Sequence, residues 1–404
     1  MNILLSAYAC EPNKGSEPGV GWNWAIELSK HHNVWVITRD NNEPTITEYF
    51  KEHPEYKNEN LNFIYVGLSK KITFWKKGRR GMRIFYKMWQ QKAAKVASSW
   101  NKKIHFDFVQ HVSFVSYTQP TYMYKLGIPM IFGPVAGGDN IPSALLSNLD
   151  NKEKLIEITR FFSQYLALMV PSIRKTMLHS KYIFTATEAT KKRIPNKYQE
   201  KTFVLPAIGL EKLPKLSAFE KKDDTIRIVM VGNLIYWKAI DIGINAFLGL
   251  VEEYPNVELH ILGEGNKKEY LQRMASKYID DKIFFDKPVS HDDIFEYYKR
   301  FDIYINTTLR DSGCMAMMEA MCVGIPCICI ATGGPKILSS SIPELQISIS
   351  QYDTVVNELK YKLINLIENK EYREELGLKS LNQSMNNTYH KKYLHINEFY
   401  KKMK

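Results

Sequence analysis

The sequence of 404 residues lacks several features that define large classes of protein. It has five cysteines, an odd number without a CxxC pair, which indicates neither a disulfide framework nor a zinc site. No apolar run approaches the roughly 18 residues needed to span a bilayer. The first residues, MNILLSAYA, carry no basic leader or cleavage site of a secretory signal. We therefore expect a cytoplasmic chain with reduced thiols.

Three phosphate-binding motifs are also absent. No D-x-D occurs, so the chain offers no local pair of carboxylates for a metal that bridges phosphates. No G-x-x-x-x-G-K-[ST] is present, which excludes a P-loop. The stretch LGEGNK, with Gly263 and Gly265, begins like a dinucleotide fingerprint but lacks the third glycine. We therefore predict no resident metal and no NAD cofactor.

Acidic residues are missing from residues 69–104, which contain twelve Lys and Arg and equal the whole net charge of +12. Interspersed aromatic residues favour an amphipathic element on an anionic membrane surface. A nucleic-acid groove is the competing interpretation, and a solvated basic helix with its aromatics in the core is the simplest one. We predict the membrane contact and no nucleic-acid partner. The aromatic residues are Phe74, Trp75, Phe85, Tyr86, Trp89 and Trp100.

Short β-branched runs alternate with helical stretches along the whole chain, as in NILLSAYA, IPMIFGPV, IRIVMVGNL and FDIYINTT. This alternation predicts the α/β class, with parallel sheets and helices on both faces. The length favours two domains. A polar, proline-containing stretch at 206–225 has no clean periodicity and is the predicted linker. We predict two doubly wound, Rossmann-like domains facing across a cleft.

The predicted domain bounds follow from that linker. The N-terminal domain spans 1–207, and the C-terminal domain spans 208–385. A basic helical tail follows at 386–404, and the sequence alone does not say on which domain it packs.

Loops that follow strands should hold ligands in such sheets, because ligands bind beyond the carboxyl ends of parallel strands. The first such loop, YACEPNKGSEPGVGW, places Gly15 and Gly19 before a helix, where free amides can approach an anion. Glycine-rich turns are common, so this signal alone is weak. A later loop places Lys238 after a strand, where an ammonium can meet a diphosphate, although a lone lysine is more often a surface residue.

The stretch RDSGCMAMMEAM raises a sharper question, because Glu319 lies in an apolar helix. The helix is predicted to begin at residue 313 or 314 and to end at Cys322, so its first amides can bind a phosphate. Glu319 then lies about 9 Å along the axis, where its carboxylate can accept bonds from two vicinal hydroxyls of a ribose. The alternative is a buried glutamate paired with a neighbouring helix.

At this point the sequence resembles a known family. GNLIYWKAIDIGINAF together with DSGCMAMMEAMCVGIPCICIATGG closely resembles the C-terminal half of family 4 retaining glycosyltransferases of the GT-B fold. YACEPNKGSEPGVGWNWA, FDFVQHVSFVSY and GIPMIFGPVAGG resemble a bacterial, surface-polysaccharide subgroup of that family. The resemblance covers nearly the whole chain.

The resemblance implies that the domain at 1–207 binds the acceptor, that the domain at 208–385 binds a nucleotide sugar, and that the tail at 386–404 returns to the N-terminal domain. It also implies roles for residues of the C-terminal half. Glu319 would hold the ribose of a nucleotide sugar. Asp311 stands where the family usually has a glutamate and would contact the transferred sugar with a side chain one methylene shorter. The amides of Gly313, Cys314 and Met315 would bind the diphosphate.

The resemblance implies further contacts around the phosphates and in the N-terminal half. Lys238 matches the phosphate lysine of the family, while Asn233 stands where its arginine companion is usual. His111 would lie beside the reacting sugar, and Gly15 and Gly19 would approach the diphosphate and acceptor. Contacts with the base are expected from two loops, 263–266, which contains Gly265, and 287–290.

The predicted activity is transfer of a sugar, with retention and without a metal, from a UDP- or GDP-linked donor to a lipid-linked or growing bacterial glycan. A peripheral location on the inner face of the plasma membrane is expected. The open alternatives are a nucleotide-sugar epimerase or phosphorylase of the same fold, and an inactive sugar-nucleotide-binding scaffold, for which Asn233 and Asp311 are the best arguments.

Overall fold

The computed structural model describes residues 1–76, 78, 80–211, 213–214, 223–290 and 293–403. The chain divides into two compact units. Unit 1 comprises Met1–Gly138, Arg160–Glu211 and Tyr389–Lys404, and unit 2 comprises Asp139–Thr159 and Lys212–Thr388. Of the predicted linker, residues 212 and 215–222 lie outside the described residues, as do Lys77 and Arg79 of the basic segment.

Each unit contains one parallel sheet. The sheet of unit 1 has seven strands in the order β3-β2-β1-β4-β5-β6-β7, and that of unit 2 has six in the order β10-β9-β8-β11-β12-β13. The strands are β1 Asn2–Ala7, β2 Asn33–Arg39, β3 Leu61–Val66, β4 Phe108–Ser113, β5 Met130–Val135, β6 Tyr182–Thr185, β7 Thr202–Val204, β8 Ile226–Val231, β9 Val257–Leu262, β10 Ile283–Asp286, β11 Ile303–Asn306, β12 Cys327–Ile330 and β13 Gln346–Ile347.

Helices connect these strands, as parallel pairing requires. They are α1 Ser16–Ser29, α2 Glu43–Glu52, α3 Lys70–Thr73, α4 Met82–Ile104, α5 Ser143–Leu146, α6 Asn151–Ala167, α7 Pro171–His179, α8 Glu188–Lys191, α9 Ile240–Leu248, α10 Lys268–Met274, α11 Ile294–Tyr298, α12 Met315–Cys322, α13 Gly333–Leu338, α14 Tyr352–Glu368, α15 Lys370–Ser384 and α16 Tyr389–Lys401.

The central strands are buried on both faces and carry the apolar runs from which parallel sheets were predicted. All six residues of β4 and all six of β5 are buried. A strand covered on both faces does not meet water, and β5 (MIFGPV) is accordingly an apolar run, whereas β4 (FVQHVS) also buries the polar side chains of Gln110, His111 and Ser113. The prediction of two doubly wound α/β domains is thus confirmed at the level of each sheet.

The bounds of the units differ from the predicted domains at residues 139–159, which belong to unit 2. The reason is apolar packing, since Ile141, Leu145 and Leu149 join the hydrophobic core of that unit. The tail belongs to unit 1, where Tyr393 and Ile396 of α16 are buried in the core and the hydroxyl of Tyr400 donates a hydrogen bond to Gln110.

The basic segment 69–104 forms α3 and α4, and its aromatic side chains divide between core and surface. Tyr86 and Trp89 are fully buried, and the Trp89 indole donates a hydrogen bond of 2.7 Å to the carbonyl of Val66. Phe74 and Trp100 are exposed. Within the described part of the chain, no helix is both long and apolar enough to cross a membrane.

Candidate functional site

The loop after β11 gathers a lysine, a carboxylate and two amides in unit 2. One oxygen of Asp311, Oδ2, lies 2.5 Å from Nζ of Lys238. The other, Oδ1, accepts hydrogen bonds from the backbone amides of Gly313 at 2.9 Å and Cys314 at 3.3 Å. The Asp311 carboxylate therefore binds the same lysine and amides that were predicted from the sequence to bind a phosphate. The carboxylate is thus an anion held by one ammonium and two amides directly before α12.

Burial and pairing together set the charges of this pair. Burial alone raises the pKa of Asp311, but Lys238 and the two amides outweigh it and leave the pKa below its ordinary value. Burial lowers the pKa of Lys238, and the Asp311 carboxylate outweighs that effect, so the pKa of the lysine is raised. Both side chains are therefore charged at neutral pH.

Two strand-end loops position Lys238. The residue closes a short 3-10 turn, Tyr236–Lys238, directly before α9. The hydroxyl of Thr307 donates a hydrogen bond of 2.9 Å to the carbonyl of Lys238, and the amide of Leu309 donates one of 2.9 Å to Trp237. The loops after the adjacent strands β8 and β11 are thereby fixed to each other.

The Gly-Gly turn at the start of α13 encloses the Asp311 loop. The amide of Gly334 donates a hydrogen bond of 2.7 Å to the Asp311 carbonyl. A Cβ added at Gly333, where φ is +34°, would lie 2.3 Å from that carbonyl oxygen, and one at Gly334 would lie 2.9 Å from the carbonyl carbon of Ser312. Only glycine permits this close approach of two backbones.

Glu319 lies in the second turn of α12 and is 6% exposed. Burial raises its pKa to about 7, so the carboxyl changes charge near neutral pH. The predicted helix ends at Cys322 as observed, and it begins at Met315, one or two residues later than predicted. Cys314 precedes it in the left-handed conformation, with φ of 52°.

Asn233 and Gly265 occupy neighbouring turns. The Asn233 side chain is exposed in the loop after β8. A Cβ on Gly265 would lie 2.2 Å from the carbonyl oxygen of Leu234, and one on Gly263 would lie 1.9 Å from that of Gly232. Both positions thus require glycine, because two turns at the ends of strands pack closely there. The predicted contacts of Asn233 and Gly265 with a donor stay predictions.

Arg310 is a partly buried cation that the sequence patterns did not single out. Its guanidinium lies 3.0 Å from the Glu157 carboxylate and 4.5 Å from the centre of the Trp237 ring. The side chain is 16% exposed and precedes Asp311 directly. The sequence signal was its position in a loop after a strand, but Glu157 is 153 positions away and its contact could not be read from spacing.

In unit 1, His111 lies on β4 and is fully buried. Its Nδ1 is 3.3 Å from the hydroxyl of Ser6, and its Nε2 is 3.3 Å from the carbonyl of Phe114 and 3.5 Å from the hydroxyl of Tyr86. Burial lowers the pKa of His111 to about 4, so the ring is neutral at physiological pH. The predicted place beside a reacting sugar stays a prediction.

The glycine-rich loop after β1 leads into α1 in unit 1. Gly15 caps the helix, and a Cβ there would meet nothing within 4 Å. A Cβ on Gly19 would lie 2.1 Å from the carbonyl oxygen of Lys14. In the first turn, the Glu17 carboxylate accepts a hydrogen bond of 2.8 Å from the Val115 amide. Their predicted contacts with diphosphate and acceptor stay predictions.

One group among the described residues brings metal-ligand atoms together, namely Glu27, His31 and His390 of unit 1, within 4.8 Å. Glu27 also accepts a hydrogen bond of 2.7 Å from the Lys30 ammonium and one of 2.8 Å from His390. Burial raises the pKa of Glu27, but Lys30 and His390 outweigh it and lower the pKa. The group therefore forms an ion-pair network between α1 and α16.

Comparison with known proteins supports the reading of the fold. The lipopolysaccharide outer core galactosyltransferase WaaB superposes over 100% of both chains, with a TM-score of 0.64 and 14% identity. HepE of Anabaena, solved with UDP and glucose, superposes over 100% of both chains, with a TM-score of 0.60 and 12% identity. These likenesses and the two parallel sheets define a protein of the GT-B fold.

The sequence comparisons add a likeness to one family over part of the chain. Residues 214–380 match the family described as glycosyl transferases group 1. The chain is 26% identical over 268 residues to Protein CapJ of Staphylococcus aureus, covering 61% of this chain and 63% of CapJ. The matched parts of the first curated relatives span between 26% and 63% of their length. The matched residues lie in the unit that holds Lys238 and Asp311, and this part of the chain is similar to glycosyl transferases group 1.

Proposed function

We propose that the protein transfers a sugar, with retention of anomeric configuration and without a metal, from a nucleotide-diphosphate sugar to a lipid-linked or growing bacterial glycan. The observation that carries the proposal is the anion-binding arrangement of unit 2, in which Lys238 and the amides of Gly313 and Cys314 converge on one carboxylate. The same groups suit the diphosphate of a UDP- or GDP-linked donor. HepE, of the same fold, binds UDP.

A donor diphosphate competes in this proposal with Asp311. The phosphate oxygens take the Lys238 ammonium and the helix amides, and the carboxylate is released toward the hydroxyls of the transferred sugar. Positive potential at the departing diphosphate stabilises the charge that develops there as the glycosidic bond breaks. Lys238 and the dipole of α12 supply that potential, which is why the proposal requires no metal.

Glu319 is the proposed ribose contact. It is the fifth residue of α12, so at about 1.5 Å of rise per residue it lies about 6 Å along the helix axis from Met315, which is shorter than the about 9 Å expected for a helix that begins at residue 313. An ionised carboxylate accepts hydrogen bonds from two vicinal hydroxyls. Such a contact also favours the ionised form and offsets the burial that raises the pKa of Glu319 to about 7.

The acceptor is proposed on two grounds. WaaB, a lipopolysaccharide galactosyltransferase, shares the fold. The basic segment 69–104 carries twelve Lys and Arg and no acidic residue, which favours an anionic membrane where a lipid-linked glycan resides. We propose that the enzyme acts peripherally at such a membrane.

The experiment that tests the donor site is a thermal-shift screen with UDP, GDP and their sugars. A ligand that binds the native state raises the melting temperature. We expect one nucleotide class to raise it for the wild-type protein and not for Lys238→Ala. Equal shifts in both proteins would overturn the assignment of the site.

Turnover experiments then test the chemistry. With the best donor and a lipid-linked acceptor, we expect the anomeric configuration of the product to match that of the donor by NMR, and the rate to persist in EDTA. Inversion, or complete loss in EDTA restored by a divalent cation, would contradict the mechanism. Interconversion of donor sugars without an acceptor would favour an epimerase. Release of sugar phosphate would favour a phosphorylase, and binding without any turnover would favour a scaffold.

A further inference from the structure

Helix α6 has the reverse of the amphipathic arrangement expected of a helix on a protein surface. Its polar side chains Glu153, Glu157 and Gln164 are at most 7% exposed. A set of large apolar side chains at helical spacing is between 54% and 66% exposed. The apolar set, here called the α6 face, consists of Leu155, Ile158, Phe162, Tyr165, Leu166 and Met169. The spacing puts these residues on one side of the segment.

Specific polar contacts hold α6 in this orientation. Glu153 lies 2.5 Å from the Lys267 ammonium, and the hydroxyl of Tyr236 donates a hydrogen bond of 2.7 Å to Glu157. Further along, the amide of Gln164 donates a hydrogen bond of 2.7 Å to a backbone carbonyl, that of Gly137. A half-turn of the helix would bury the apolar side chains but leave these carboxylates without their partners. The outward α6 face is therefore fixed by the polar side.

Contiguous exposed apolar side chains of this size mark an interaction surface. The charge around them indicates the partner. Residues 158–187 contain no Asp or Glu, and their basic residues are Arg160, Arg174, Lys175 and Lys181. Arg174 and Lys175 are exposed on α7, as is the apolar side chain of Leu178. An apolar face that is followed in the sequence by exposed cations, on a helix whose acids Glu153 and Glu157 are buried, suits the interface of an anionic bilayer.

We propose that the α6 face inserts into the headgroup region of an anionic membrane, with Arg174 and Lys175 contacting lipid phosphates. A second copy of the chain is the weaker candidate. A two-fold dimer would place the same basic surface against itself, with no acidic residue between 158 and 187 to neutralise it. This surface lies apart in the sequence from the basic segment 69–104, and its binding does not depend on glycosyl transfer.

Vesicle co-sedimentation tests the proposal with the full chain. The variant is Phe162→Ser/Leu166→Ser, and its matched control is Leu378→Ser/Leu394→Ser, which removes two leucines that are 59% and 49% exposed elsewhere. On vesicles of phosphatidylcholine with phosphatidylserine, we expect the α6 variant to bind roughly tenfold more weakly than the wild type, since two apolar side chains that insert into the bilayer in this proposal are lost. We expect the control to bind as the wild type does.

A labelled cysteine locates the contact independently of affinity. All five native cysteines are buried, so Phe162→Cys can be labelled selectively with an environment-sensitive fluorophore. We expect a blue shift on anionic vesicles, and none for Leu378→Cys or on vesicles of phosphatidylcholine alone. An unshifted label at residue 162, or an α6 variant that binds as the wild type does, overturns the proposal. A wild-type dimer that the α6 variant converts to a monomer, with vesicle binding unchanged, assigns the face to a second copy instead.

Discussion

The two units share a parallel-sheet topology but differ in the charge that they carry near the ends of their central strands. In unit 2, Lys238 and Asp311 lie in loops, are partly exposed and stay charged because each stabilises the other. In unit 1, His111 lies within β4, is fully buried, and has its pKa lowered to about 4 by burial. The topology thus places side chains near the carboxyl ends of the strands, while burial and pairing decide whether those side chains carry charge.

The comparison predicts that the recognition of a phosphate resides in unit 2. The strongest test of this prediction is Lys238→Ala, which removes the ammonium that pairs with Asp311 and that is proposed to bind the diphosphate. We expect kcat/KM to fall by about 100-fold or more, since the loss of one preorganised group at a developing charge has that magnitude. Steady-state kinetics with the best donor would measure it.

The matched control is Lys277→Ala, which removes an exposed ammonium that lies 2.5 Å from Glu252 in the same unit. We expect no measurable change in kcat/KM for the control. If Lys238→Ala retained the activity of the wild type, the charged cluster of unit 2 would have no part in catalysis.

Glu319 of unit 2 extends the comparison. Burial raises the pKa of its carboxyl from the ordinary value of 4.5 to about 7. Because this pKa is higher in the folded protein than in the unfolded chain, the folded protein binds the proton of Glu319 more tightly. The stabilisation of the folded state by that proton is fully present below pH 4.5 and is lost as the pH rises through about 7. The loss amounts to about 3 kcal/mol for such a shift. Glu319→Gln cannot ionise, so its free energy of unfolding should lack this decline.

Urea unfolding of wild type and Glu319→Gln between pH 4.5 and 8 would measure the difference. Glu374→Gln is the control, since Glu374 is exposed on α15 of the same unit. Parallel stability curves for wild type and Glu319→Gln would contradict a raised pKa. With UDP added, the wild type should gain affinity as Glu319 ionises, and Glu319→Gln should not.

His111→Ala tests the other side of the comparison, in unit 1. We expect the free energy of unfolding to fall by about 2 to 3 kcal/mol, because the change leaves a cavity and removes the partner of three buried polar groups. His395→Ala, an exposed histidine of the same unit, should be nearly neutral. Chemical unfolding at pH 7 provides the measurement.

The same variant tests the predicted place of His111 beside the reacting sugar. A contact with the sugar requires kcat per folded molecule to fall in His111→Ala. If stability falls and kcat per folded molecule is unchanged, the role of His111 is confined to the polar network of Ser6 and Tyr86.

The sequence predicted the features of unit 2 that depend on the succession of residues within a short segment. The alternation of apolar runs and helical stretches predicted both sheets, and the glycine and serine before MAMMEAM predicted α12 to within two residues of its start. Lys238 and Asp311 were each predicted beside phosphate or sugar. Their ion pair was not, because it joins loops 73 positions apart and depends on the order of the strands.

Contacts remote in sequence account for the other differences. Glu157 and Arg310 are far apart in the sequence, so their ion pair could not be predicted from spacing. Residues 139–159 belong to unit 2 because Ile141 packs in the core of that unit. The basic segment suggested exposed aromatics, yet Trp89 is in the core. Periodicity indicates that a helix has two faces, but it does not say which one the protein covers, as α6 shows with its polar side inward.

Asp311→Asn should have the smallest effect on binding and is the finest test of the charged cluster. The carboxylate of Asp311 occupies Lys238 and the amides that the proposal gives to a diphosphate. Asparagine retains an acceptor oxygen but no charge, so Lys238 is left with its positive charge less compensated. We expect the affinity for UDP to rise by about threefold to tenfold, or up to roughly 1.4 kcal/mol.

Calorimetric titration with UDP would measure this change, with Asp353→Asn as a control because Asp353 is exposed on α14. Transfer of the sugar should slow in Asp311→Asn even as UDP binds more tightly, since the same carboxylate is proposed to contact the transferred sugar after release. Weaker binding of UDP would contradict competition. It would mean instead that Asp311 holds Lys238 and the amides in the orientation that the phosphates require, and that the ion pair of unit 2 persists with the donor bound.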